Sequence, residues 1–82
     1  MNHVKILFFA TIRDYVGSKV LEMDLPKEMT VREFTRDLMT QYPQLQRMEK
    51  SMVVAVNHEY SGNDQILPEN AEIAIFPPVS GG

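Results

Sequence analysis

No cysteine occurs among the 82 residues, which excludes a disulfide framework, a thiolate nucleophile, a Cys-ligated zinc and an iron–sulfur cluster. Any sulfur chemistry involving this chain must use sulfur brought to it. Histidine is scarce: His3 and His58 are the only two, each near an expected strand end and without an acid or nucleophile at motif spacing, so both read as solvated or structural. No metal site is expected. There is no Gly-rich phosphate loop, so nucleotide is expected to bind elsewhere than on this chain. No apolar run approaches the roughly 18 residues that cross a bilayer, and the opening Met-Asn-His-Val-Lys lacks the basic and apolar regions of a signal peptide. A cytoplasmic protein without a membrane partner is the expectation. Basic residues are outnumbered, eight Lys and Arg against eleven Asp and Glu, and the net charge of -3 is the wrong sign for tracking a phosphate backbone. Nucleic acid is not expected as a direct partner. The length leaves room for one small domain and none for a separate catalytic domain.

What is present is globular in composition, with 44% hydrophobic and 23% charged residues. Val4 to Ala10 (VKILFFA) is a short run rich in β-branched and aromatic residues and reads as a buried strand. Thr11 to Ser18 holds the turn formers Asp14 and Gly17, and Lys19 to Leu25 alternates, so the two strands are expected to form a hairpin. Thr30-Val-Arg-Glu33 has the spacing of a capping box and predicts a helix start. Val31, Phe34, Leu38 and Tyr42 follow at helical spacing, and Pro43 closes the element, with one further short turn expected within Leu45 to Lys50. Met52 to Asn57 is a third strand, followed by turn chemistry at Asn57-His58 and again at Ser61 to Asp64. Ala71 to Phe76 is the last strand, preceded by a Pro68-Glu69-Asn70 turn and cut off by Pro77 and Pro78. The six methionines read as gap fillers in the core. Glu22, Asp24 and Glu28 read as a solvated acidic face that can attract a basic partner.

The economical arrangement is α+β: a mixed sheet of four or five strands with one main helix packed on one face, in the order of the ubiquitin-like β-grasp. Residues 1–76 form the domain and 77–82 an extended tail. If Ile73 and Ile75 meet the helix, Phe76 points outward, and in the first strand Lys5, Leu7 and Phe9 lie opposite Val4, Ile6 and Phe8. Large apolar groups facing away from the helix predict a docking patch. The tail Pro77-Pro-Val-Ser-Gly-Gly82 is stiff at its root and bare at its tip, and six residues span at most ~20 Å. Such a probe suits threading a narrow channel to present the α-carboxyl of Gly82.

The tail FPPVSGG and the opening VKILFFATIRDYVG resemble the small, sulfur-carrying subunit of molybdopterin synthase, with the likeness running from Val4 to Gly82. The resemblance implies that an ATP-dependent, ubiquitin-activating-like adenylyltransferase joins the Gly82 carboxyl to AMP and that sulfur displaces AMP to leave a thiocarboxylate. It further implies that the loaded tail, Pro77, Pro78, Val79, Ser80, Gly81 and Gly82, enters the large catalytic subunit and donates sulfur to cyclic pyranopterin monophosphate. The family suggests two copies of each subunit. Its partner contacts map onto Phe9, Phe76, the turn residue Tyr60 and Arg13; the outward face derived above selects Phe9 and Phe76 independently. A sulfur carrier for thiazole or tRNA thiolation, a protein modifier and a pure interaction module remain open as alternatives. The Glu69-Asn70 turn replaces the Asp-Gly common in the family, and Asn tolerates the same backbone.

Overall fold

The structure, a computed structural model, describes residues 1–48 and 50–77. The tail residues Pro78, Val79, Ser80, Gly81 and Gly82 of the expected site lie outside them. Five strands form one mixed sheet: β1 (Asn2–Phe8), β2 (Val20–Leu25), β3 (Val53–Val56), β4 (Glu59–Tyr60) and β5 (Glu72–Phe76). Their spatial order is β2-β1-β5-β3-β4, with β1 and β5 parallel and every other pair antiparallel. The main helix α2 (Val31–Gln41) covers one face of this sheet, giving the expected β-grasp. Among the described residues no helix is long and apolar enough to cross a membrane.

The alternation read from the sequence decides which side meets the helix. Val4, Ile6 and Phe8 of β1 and Ile73 and Ile75 of β5 are buried against Val31, Phe34 and Leu38 of α2. Met39, outside the expected helical stripe, is buried as well, while Tyr42 is the half-buried C-cap and sets its ring edge-on to Phe8 at 6.5 Å. The capping box forms in full: Glu33 N–H donates to Thr30 Oγ1 at 3.2 Å, and Thr30 N–H and hydroxyl both donate to Glu33 Oε1 at 3.0 Å. Those donors, the backbone N–H first, hold the Glu33 carboxyl below its ordinary pKa.

Two local expectations need correction. The link between β1 and β2 is not a turn but a short helix, α1 (Ala10–Val16), so the strand ends at Phe8 rather than Ala10. Ile12 explains the difference, because its fully buried side chain packs into the core and needs a helical turn to reach it. Gly17 then ends α1 in the left-handed region at φ 81°, its N–H donating to Arg13 C=O at 2.8 Å. The segment after α2 is a 3-10 helix over Pro43–Met48, earlier and longer than the short turn expected there, because Pro43 suits a first helical position and Leu45 is fully buried.

The turns follow the expected chemistry. Asn57 and His58 both have positive φ, 50° and 72°, and close the tight β3–β4 hairpin. Asn70 sits at φ 56° as its residue type allows, and its N–H donates to the buried side chain of Asn2 at 2.8 Å.

On the solvent face, His3 bridges two carboxylates of β2, with Nε2 2.8 Å from Glu22 Oε1 and Nδ1 2.8 Å from Asp24 Oδ1. Hydrogen bonds to Glu22 and then Asp24 raise the His3 pKa above 6.5. A raised folded-state pKa means the clamp stabilises fully below about pH 6.5 and is lost as pH rises through the raised value. Thermal melts of the native chain should therefore show a small fall in stability on going from about pH 6 to about pH 9, and His3→Gln should flatten that fall. The effect is small because the pair is solvent-exposed. Identical pH profiles for the two proteins would contradict it.

Candidate functional site

The face of the sheet away from α2 carries the site. Register places Val20, Leu7, Ala74, Ala55 and Tyr60 side by side across all five strands. The two alanines in the middle have almost no side chain, so the row sinks between Leu7 and Tyr60 into a trough of about 340 Å³. Phe9 and Phe76 wall one end, and Glu72 and His58 the other.

Phe9 lies one residue beyond β1, yet its N–H donates to Ile75 C=O at 3.2 Å and keeps it beside β5. Its ring stacks on Phe76 with centroids 4.6 Å apart and planes 10° from parallel. Phe9 is 40% exposed and Tyr60 84%. A flat aromatic pair is thus left open to water beside Pro77, with apolar surface around it, a composition that interface cores share. The strand that carries Phe76 continues directly into Pro77.

Sequence-selected residues therefore meet where expected: Phe9, Phe76 and Tyr60 line one trough. Tyr60, expected in a turn, instead lies on the short strand β4, opposite Ala55, because the Asn57-His58 turn closes earlier. Arg13 is on α1 outside the trough, and among the described residues it forms no ion pair. Ala55, Glu72 and His58 complete the lining. Of these, Glu72 was already on the outward face by alternation, whereas the role of Ala55 depends on pairing that no local pattern encodes.

The ThiS family model matches residues 6–82, which takes in the end of β1, every later strand and the FPPVSGG tail. The chain belongs to the ThiS family. Two relatives are named molybdopterin synthase sulfur carrier subunit: one from Dictyostelium discoideum is 42% identical, with 99% of this chain and 98% of that one covered. The other, from Caenorhabditis elegans, is 38% identical with both chains covered in full. The solution structure of the small archaeal modifier protein 1 from Methanosarcina acetivorans superposes with a TM-score of 0.80 at 28% identity, covering 100% of this chain and 98% of that one. The β-grasp of this ThiS-family member is thus shared along its length with a solved structure.

Proposed function

We propose that this chain is the sulfur-carrying subunit of a molybdopterin synthase, with Gly82 as the residue that carries sulfur. The observation that carries the reading is the open Phe9–Phe76 stack beside Pro77, where a docked partner would lie next to the start of the tail. The names of the two full-length relatives support it.

A terminal carboxylate, with an ordinary pKa of ~3.3 to 3.7, is ionised at neutral pH and a poor electrophile. Activation is needed. On a ubiquitin-activating-like adenylyltransferase, a Gly82 carboxylate oxygen attacks the α-phosphorus of ATP, pyrophosphate leaves and an acyl adenylate forms. Sulfide then attacks the acyl carbon, the carbon–sulfur bond forms as the bond to AMP breaks, and loss of a proton leaves a thiocarboxylate. In the large catalytic subunit that sulfur is delivered to cyclic pyranopterin monophosphate, and two deliveries complete the dithiolene. The chain contributes the nucleophilic sulfur and its positioning, and the partner contributes the catalytic groups. The assembly holds two copies of each subunit and works in the cytoplasm.

Intact mass after incubation with the adenylyltransferase, ATP and a sulfur source is expected to rise by the difference between one sulfur and one oxygen. An unchanged mass, in a mixture that loads another carrier, would reject the reading. Likeness to a small archaeal modifier protein supports a second reading, attachment through Gly82 to lysines. Isopeptide-linked adducts in cell extracts would favour it, and delivery of the loaded sulfur to a thiazole or tRNA acceptor would favour another carrier pathway.

A further inference from the structure

We infer that the partner surface received by this face is basic where it meets Glu72, so that the sheet carries docking information in two parts. The apolar trough holds the partner, and the carboxylate at its far end sets approach and orientation. The inference rests on the proposed function, since the partner is the large catalytic subunit.

The backbone of Glu72 is held on both sides by Asn57. Its N–H donates to Asn57 Oδ1 at 2.9 Å and its C=O accepts from Asn57 N–H at 2.8 Å. It lines the trough four residues before Phe76 on the strand that leads into the tail, about 13 Å along it at ~3.3 Å per residue. A partner cation meeting Glu72 therefore lies on the same strand as the aromatic stack, at a spacing set by the strand to within the reach of a glutamate side chain.

The carboxylate is also available. Its one neighbour within ion-pair distance among the described residues is His58, 3.5 Å away and 84% exposed, a contact of little energetic weight. Lys5 lies in register between Glu72 and Glu22, yet among the described residues its ammonium pairs with neither; Glu22 is held by His3 instead. On the strands flanking Lys5 the charged groups of this face are thus Glu22, Asp24 and Glu72, opposed by Lys5 and by His3 when protonated. Negative charge prevails there, as it does in the whole chain at -3. Charge at the rim of an apolar contact acts mainly on the association rate and its salt dependence.

A basic partner makes opposite predictions for two register neighbours. Association of the full chain with the large catalytic subunit is measured by stopped flow in about 20 mM and about 0.5 M salt, conditions that bracket weak and strong screening. At low salt Glu72→Gln should slow association about threefold and Lys5→Gln should speed it about twofold, both merging with the native rate at high salt. Reversed signs would mean an acidic partner, and unchanged rates would mean that charge plays no part; either overturns the inference alone. Failure of the native chain to bind the catalytic subunit at all would overturn the proposed function with it.

Discussion

Removal of Gly82 is expected to abolish sulfur loading while leaving the unfolding temperature unchanged. Among the described residues every buried hydrophobic side chain belongs to a residue between Val4 and Ile75, and glycine has no side chain to lend to that packing. Chemistry responds differently. The shortened chain still ends in a carboxylate, but that group retreats by ~3.3 to 3.6 Å, the length of one extended residue. Reacting atoms must be brought to about 3 to 3.5 Å, and a misplacement of about 1 Å already costs on the order of 100-fold in rate. A full residue of retreat is about three times that misplacement. Intact mass after exposure to the adenylyltransferase, ATP and sulfur, read beside a thermal melt, checks both halves. Loading at the native rate would remove Gly82 from the chemistry. A melting temperature lowered as by a core truncation, several degrees for each kcal/mol lost in a domain of this size, would instead give the tail a packing role.

How far the site could be read in advance depends on how local its determinants are. Period-two alternation in Val4 to Phe9 and Ala71 to Phe76 assigns Phe9 and Phe76 to the outward face, because a strand offers only two sides and the isoleucines must fill one. The capping box at Thr30 and Glu33 is equally local and forms as written. The trough is not local. Ala55 and Ala74 are unremarkable in sequence and become a depression only because β3 and β5 pair antiparallel in the register that sets them side by side. The His3 clamp likewise depends on the register that puts His3 opposite Asp24. Helix α1 is not legible in the sequence because seven residues give too few turns for a stripe, leaving Ile12 alone to mark its buried side. The resemblance carried by FPPVSGG supplies the chemistry that none of these patterns contains, namely why the last residue matters.

Neighbouring substitutions on β5 should separate docking from folding. Phe76 is half-buried and stacks on Phe9, whereas Ile75, one residue earlier, points to the opposite side and is fully buried in the core. Phe76→Ala removes one half of the stack and the wall of the trough, so association with the catalytic subunit should weaken by at least about 2 kcal/mol, roughly 30-fold, as for an aromatic anchor at the centre of an interface. Its cost to folding should stay near the 0.5 to 1.5 kcal/mol of an aromatic pair, about the range for a contact that is not closed over by protein. Ile75→Ala leaves a cavity beneath α2 and should cost about 2 to 5 kcal/mol of stability. Denaturant unfolding and titration calorimetry on both variants read the two effects separately. The order of severity must cross between the measurements, Ile75→Ala worse for folding and Phe76→Ala worse for docking. If Phe76→Ala instead destabilises the fold as much as Ile75→Ala and binds no more weakly than its folded fraction predicts, the aromatic stack is a core element and the outward face is not a docking surface.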